Sequence, residues 1–411
     1  SLQVYRMSQN NTDSRLAKRV SRTELSMTVQ MAQRARELRA SGKKIINMGA
    51  GELDFETPEY IKLGAIKGII EGQTRYTNVR GTSDLTEAIC QKFLDDNHLI
   101  YSAAEVITGT GAKQLLFNAF QATLNDGDEV IIPAPYWVSY PEMVRLADGV
   151  PVIITTAAEQ GYKITPSQLL NSLTPKTKWL LINSPGNPSG AIYTRQELLA
   201  LAAVLKDYPQ VLVLSDDIYE AITFDASFIS FATANPGFKE RTLTLNGVSK
   251  GYAMTGWRLG YAGGPEWLIQ AMEKIQAQST SNASSISQAA ATVALTGNHS
   301  FLTAWRDILK TRRDHALDIL NASPYLKAEK PQGAFYLFVD CRSIFGKSPE
   351  GGSPLFSDQD IAGFLIEFAG VAVVPGSAFG MPGHFRLAFS INSEDLMTAC
   401  RAIVASVERL K

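Results

Sequence analysis

The sequence predicts an α/β protein: a mostly parallel, doubly wound sheet, followed by a smaller α+β part. Two observations carry this expectation. From about residue 105 to 265, short apolar runs alternate with stretches of helical spacing. Beyond 265 the alternation stops, and long helical patterns lead into short β pieces.

The elements follow in order. Val106 to Thr108, Glu129 to Ile132, Val150 to Ile154, Lys178 to Ile182, Val211 to Leu214 and Leu243 to Leu245 read as strands. Each run is apolar on both faces, as expected for strands covered by helices on two sides. Lys113 to Leu124, Trp137 to Leu146 and Arg195 to Leu205 have helical spacing between them. This alternation favours parallel strands joined by helical crossovers, with ligands at the carboxyl ends of the strands. Pro265 to Gln276, Ile286 to Leu295 and Phe301 to Leu320 read as long helices. Ala334 to Val339, Val371 to Val374 and Phe385 to Phe389 read as β pieces, and Glu394 to Leu410 as a closing amphipathic helix. Gly346 to Ser357 is rich in Gly, Ser and Pro and reads as a flexible surface loop. Residues 1–25 are too polar to pack alone and read as an arm.

Composition narrows the function. A chain of 411 residues can bury a large core and divide into two domains. Lys and Arg number 39 against 40 Asp and Glu with no basic block, which argues against electrostatic nucleic-acid binding. No apolar run approaches the ~20 residues that span a bilayer. The polar stretch Ser1 to Asp13 has no signal-peptide core. Cys90, Cys341 and Cys400 are scattered, which suits a reducing cytoplasm. His98, His299, His315 and His384 lack metal-ligand spacing, so no metal site is expected.

The stretch Asn246 to Arg258 is the most informative chemically. Between Arg241 and Glu266 the only charged residues are Lys250 and Arg258, set among small and aromatic neighbours. A lysine desolvated there loses proton affinity, and its neutral amine can attack a carbonyl. Arg258 offers a fixed cation for a phosphate or carboxylate. The stretch also reads as a buried strand-turn-strand with a snorkelling lysine and a structural arginine.

Four further features fall at the predicted strand ends. Thr108 to Lys113 (TGTGAK) is a Gly-rich turn into a helix, where backbone N–H groups can meet an anion. A dinucleotide site would need a third glycine and an acidic residue ending the second strand, and neither is present. Pro133 to Trp137 offers an aromatic that can stack on a planar ring or fill the core. Asn183 to Gly190 (NSPGNPSG) fixes a tight turn that aims the Asn187 amide, or is simply a βα turn. Ser215 to Glu220 (SDDIYE) ends a buried strand in a carboxylate, which needs a cation unless Asp216 only caps a helix. A protonated ring nitrogen would be such a cation, and Tyr219 could reach a phenolic oxygen of the same ring. Amine, phosphate-binding cation, stacking aromatic and ring-nitrogen carboxylate together describe a pyridoxal phosphate site.

Their joint occurrence in this order carries a resemblance. The chain resembles the class I, fold-type I pyridoxal-phosphate-dependent aminotransferases, and within them the bacterial aspartate aminotransferases. The resemblance runs from about Leu16 to Leu410. It includes Ala50 to Pro58 (AGELDFETP), Pro135 to Val144 (PYWVSYPEMV), the Asn187 turn, the Asp216 and Tyr219 pair, Lys250 to Arg258, Gly333 to Tyr336 (GAFY) and Phe385 to Leu387 (FRL).

The resemblance implies roles. Lys250 matches the Schiff-base lysine and proton carrier, and Asp216 the carboxylate that keeps the ring nitrogen protonated. Tyr219 and Asn187 match hydrogen-bond donors to the ring's phenolic oxygen, and Trp137 the stacking aromatic. Gly111, Ala112, Lys113 and Arg258 match the phosphate cup. Tyr76 matches a tyrosine that reaches the phosphate of the partner subunit, which implies a homodimer. Arg386 matches the clamp on the substrate α-carboxylate, helped by the Gly51 backbone, with Trp137 and Asn187 alongside. The implied layout is an arm at 1–25, a small domain from 26–60 and 301–411, and a large cofactor-binding domain at 61–300. The implied reaction is ping-pong, from an L-amino acid to a 2-oxo acid.

Substrate choice is less marked. Aspartate with 2-oxoglutarate is the expected pair, ahead of aromatic, neutral or basic donors. In related enzymes a basic residue of the arm helps bind the distal carboxylate; here that position aligns with Glu24, which would repel it. Lys18, Arg19, Arg22 and Arg80 are the alternative cations, and Gln278 to Asn282 offers only hydroxyls and amides. The same motifs also allow a carbon–sulfur β-lyase. A transcription regulator with this fold would need a DNA-binding module, and the arm is too short for one.

Overall fold

A computed structural model describes residues 13–411; residues 1–12 of the expected arm lie outside the described residues. Seven strands form one mixed sheet. In spatial order they are Val106–Gly109, Gly260–Gly263, Thr242–Gly247, Leu212–Asp216, Thr177–Asn183, Glu129–Ala134 and Val150–Thr155. Only Gly260–Gly263 runs antiparallel to its neighbours; every other pairing is parallel. Six strands therefore deliver their carboxyl ends to one edge, and the antiparallel strand begins at that same edge. This is where doubly wound sheets place a site.

All six predicted strands are present, and helices cover both faces. Ala112–Thr123, Ser139–Leu146 and Glu266–Ala277 pack on one side through Leu115, Leu116, Phe120, Val144 and Met272. Arg195–Leu205 packs on the other through Leu198, Leu201 and Leu205. It starts where Thr194 accepts from the Glu197 N–H at 3.2 Å while Glu197 accepts from the Thr194 N–H at 2.9 Å, a reciprocal cap.

Three expectations need correction. Val150–Thr155 is apolar yet not covered on both faces: it is the edge strand, and Val150 and Ile153 are exposed. The helix expected from Trp137 begins at Ser139, which leaves Trp137 on the loop after the strand. Val371 to Val374 is two strands. Val371–Ala372 pairs with Ile46–Asn47, and Val374–Pro375 pairs with the strand His384–Ala388, because the chain changes sheets at Val373.

The strand Gly260–Gly263 carried no periodic signal because half of it is glycine. A Cβ at Gly260 would strike the Ala112 backbone, so glycine lets the helix N-terminus settle on the sheet edge.

A second sheet has the order Val374–Pro375, His384–Ala388, Tyr336–Asp340, Lys327–Ala328. It packs against Phe301–Asn321 and Ser393–Glu408 through Leu309, Leu320, Leu396 and Ile403, and Met48 and Leu53 join this cluster. The loop Gly346 to Ser357 is tied at both ends. Gly346 donates to the Leu355 carbonyl at 2.8 Å, Leu355 to that of Lys347 at 2.8 Å, and Ser348 to that of Lys411 at 2.9 Å.

Candidate active site

A cavity of about 340 Å³ opens at the carboxyl edge of the large sheet. It is lined by Gly51, Ala112, Lys113, Trp137, Asn187, Asp216, Tyr219, Lys250, Arg258 and Arg386. Of the sequence-predicted site residues, only Gly111 and Tyr76 are missing from this wall. Gly111 sits directly behind it, as the N-cap of Ala112–Thr123.

Lys250 lies on the loop between Thr242–Gly247 and Gly260–Gly263. The loop is folded on itself by Met254 N–H donating to the Ser249 carbonyl at 3.0 Å and Val248 N–H to Leu259 at 3.3 Å. The Lys250 ammonium donates to the Gly51 carbonyl. Burial, then the positive charge of Arg386, lowers its pKa to about 8; Glu52 and Asp216 only partly offset this.

Asp216 ends its strand, buried. One carboxylate oxygen accepts from the Tyr140 hydroxyl, and the other accepts from Ile218 N–H at 3.3 Å. Burial pushes its pKa up to about 6, against the pull of those donors and Lys250. It forms no salt bridge among the described residues. A buried carboxylate so placed can hold a cation brought against it.

Tyr219 lies three residues on, buried, with its hydroxyl 2.7 Å from that of Tyr336. Asn187 is fixed from two sides. Its N–H donates to Asn183 Oδ1 at 2.9 Å, and its side-chain carbonyl accepts from Arg386 at 2.9 Å. Asn183 also donates to the Asp216 carbonyl at 3.1 Å, joining the two strand ends.

Arg386 is fully buried, its guanidinium 4.4 Å from the Tyr336 ring centre and 5.0 Å from that of Phe379. It donates to Asn187 and, at 2.7 Å, to the Gly49 carbonyl, while its Nε has no partner. No acidic side chain forms a salt bridge with it among the described residues. Gly49 thus supports the guanidinium, while the carbonyl of Gly51, the expected helper at the α-carboxylate, accepts from Lys250.

Gly111 has φ +85°, and a Cβ there would run into the Arg258 guanidinium. Arg258 is itself left-handed at φ 53° and donates to the Thr255 carbonyl at 3.0 Å. Helix N-terminus and guanidinium lie together, an arrangement that can receive an anion. The Lys113 ammonium lies 5.0 Å from the centre of the Trp137 ring, and burial followed by the charge of Arg258 lowers its pKa.

Other expectations fall elsewhere. Tyr76 is 92% exposed, on a separate concavity with Gly64 and Val293. Arg80 pairs with Glu273 at 3.1 Å and donates to the Ala103 carbonyl, away from the cavity. Arg22 pairs with Asp148 at 2.7 Å, and Lys18 and Arg19 are exposed. Glu24 does not line the cavity; its backbone N–H donates to Glu142, and Ser26, Thr28 and Val29 reach the wall instead. Gln278 to Asn282 does not reach the wall either. Sequence reasoning missed Tyr140, Asn183, Ser249 and Tyr336.

The family model for aminotransferase class I and II matches residues 43–403. The chain belongs to the class I and II aminotransferases. This aminotransferase is 50% identical over 391 residues to the aspartate/prephenate aminotransferase of Cereibacter sphaeroides, covering 95% of this chain and 98% of that protein. It is 46% identical over 395 residues to the aspartate aminotransferase of Rhizobium meliloti, covering 96% of each. The crystal structure of a Rhizobium meliloti aspartate aminotransferase superposes with TM-score 0.94 at 46% identity, over 96% of this chain and 99% of that one. The aspartate aminotransferase of Thermus thermophilus with maleate superposes with TM-score 0.89 at 40% identity, over 95% and 99%. The aminotransferase is therefore an amino-acid transaminase of fold type I. Among the described residues no helix is long and apolar enough to cross a membrane.

Proposed function

We propose that this aminotransferase moves the amino group of L-aspartate to a 2-oxo acid such as 2-oxoglutarate, with pyridoxal 5′-phosphate as cofactor. The observation that carries the reading is the convergence of three groups on one cavity: the half-buried amine of Lys250, and the buried carboxylate of Asp216 and guanidinium of Arg386, neither of which forms a salt bridge among the described residues. Each fits a different part of the cofactor–substrate pair, and the Gly111–Arg258 cradle fits the phosphate.

When bound, the cofactor supplies an aldehyde for the amino group and a protonated ring that accepts the electron pair from Cα. Lys250 would hold the aldehyde carbon through Nζ and would serve as the base for the Cα proton; its lowered pKa favours the neutral amine this requires. Asp216 would keep the ring nitrogen protonated, and Tyr140 and the Ile218 N–H orient its carboxylate. Tyr219 and the Asn187 amide would donate to the phenolic oxygen, and Trp137 would pack on the ring. The N–H groups of Ala112 and Lys113, with Arg258, would hold the phosphate. Arg386 clamps the α-carboxylate, which turns Cα–H towards Lys250.

Lys113 is the remaining cation on the wall, and we assign its ammonium to the distal carboxylate of aspartate. The names of the relatives favour prephenate as a second 2-oxo acid. Prephenate also carries two carboxylates, one each for Arg386 and Lys113.

The same reading makes the enzyme a cytoplasmic homodimer in which Tyr76 reaches the partner's phosphate. Its exposure, and that of Leu63, Ile66 and Ile70 on the helix Glu59–Ile70, supports this. The cluster that joins Met48 and Leu53 to the C-terminal helices supports a small domain of 26–60 with 301–411 against a large domain of 61–300.

A donor screen at the cofactor absorbance tests the proposal. Aspartate should bleach the aldehyde band, and 2-oxoglutarate should restore it without release of ammonia. An inert aspartate with a reactive aromatic or basic donor would overturn the substrate. Release of ammonia and pyruvate would point to β-elimination instead.

A further inference from the structure

We propose that Tyr336 is a positioning residue that relays the charge state of the Arg386 site to the hydroxyl of Tyr219. The inference rests on the functional reading above and deepens it. Tyr336 is buried on the cavity wall, in the strand Tyr336–Asp340 that pairs with the strand carrying Arg386. Its ring lies under the Arg386 guanidinium at 4.4 Å. Its hydroxyl lies 2.7 Å from that of Tyr219 and has no other hydrogen-bond partner among the described residues.

The Arg386 charge over the ring favours one direction for this hydrogen bond. A cation over the ring draws electrons from the phenol and makes its hydroxyl the better donor. Tyr336 therefore donates to the Tyr219 oxygen, which leaves the Tyr219 proton free to point into the cavity. Two hydroxyls in series polarise each other, so Tyr219 becomes a stronger donor to an anionic ring oxygen. A carboxylate bound to Arg386 neutralises the cation and weakens both donors together. Occupancy of the carboxylate site is thereby reported to the cofactor oxygen through two side chains. Gly51 keeps the path clear: a Cβ there would approach the Tyr336 hydroxyl to 3.1 Å.

The test is the pH titration of the visible absorbance of the holoenzyme, with and without maleate, a dicarboxylate that has no amino group to transfer. A donor to the ring oxygen counts most when the neighbouring lysine nitrogen has lost its proton. Tyr336→Phe removes that support and should raise the midpoint by about half to one pH unit. It should also shrink the shift that maleate causes. The ring is retained, so the packing under Arg386 remains. A midpoint and maleate shift equal to wild type, with only KM altered, would reduce Tyr336 to a packing residue and overturn the relay. Tyr219→Phe and the double variant Tyr219→Phe/Tyr336→Phe should titrate alike, since the relay has no route once Tyr219 is gone. Additive shifts would overturn it. A wild-type protein without a titrating band overturns the cofactor assignment and the relay with it; a wild-type band with an unmoved variant overturns the relay alone.

Discussion

The Arg386 guanidinium donates to the side-chain carbonyl of Asn187 at 2.9 Å, which ties the strand His384–Ala388 to the turn after Thr177–Asn183. One contact joins the two sheets across the cavity and sets the plane of the clamp. It also fixes the Asn187 amide: with its carbonyl occupied, its N–H₂ faces away from Arg386. Arg386→Ala should lower kcat/KM for amino acids by about 2–5 kcal/mol, roughly thirty- to several-thousand-fold. Steady-state kinetics with aspartate and with a neutral donor checks this. Equal losses for both place Arg386 at the shared α-carboxylate; a loss confined to aspartate would move it to the distal one.

Asp216 predicts a pH signature in protein freed of cofactor. Its carboxyl titrates near 6 when folded, against an ordinary 3.8. Between those values the folded protein holds the extra proton, so this group's contribution to stability falls as pH rises from about 4 to about 6 and is level above. Asp216→Asn should abolish that fall, about 2–3 kcal/mol by linkage. Tyr140→Phe removes a donor to the charged form and should extend the window upward. Urea unfolding at several pH values, wild type against variant, reads both; a difference independent of pH contradicts the assignment.

Lys113 is the cation left for the distal carboxylate. Lys113→Gln should reduce preference for aspartate over a neutral donor by about ten- to a hundredfold, the worth of a charge-assisted contact. Ratios of kcat/KM measure it. An unchanged ratio with weakened cofactor retention would confine Lys113 to the phosphate.

Glu24 lies outside the cavity wall, so Glu24→Lys should leave that ratio within about twofold, as for most surface changes. A large gain for dicarboxylates would mean that the arm folds over the cavity in the working enzyme.

The chemistry was more legible in the sequence than the selectivity. Lys250, Asp216, Asn187 and Arg386 could be read because a charge or amide at the end of an apolar run has few structural excuses. Their supports were not legible. Tyr140, Asn183 and Tyr336 act through contacts 33 to 117 residues away in sequence, and a buried tyrosine looks like any core aromatic. The edge position of Val150–Thr155 was hidden for a related reason: sequence gives the apolarity of a strand but not its neighbours. Glu24 and Arg80 could not be located from the sequence, because charges on loops carry no periodicity. The ion pair of Arg80 with Glu273 joins residues 193 apart, and only the fold brings them together.

Borohydride reduction of the holoenzyme followed by peptide mapping tests the central assignment most directly. The account predicts one reduced pyridoxyl group, on the peptide bearing Lys250, and none in Lys250→Ala. A label on another lysine, or one that persists in Lys250→Ala, would contradict it.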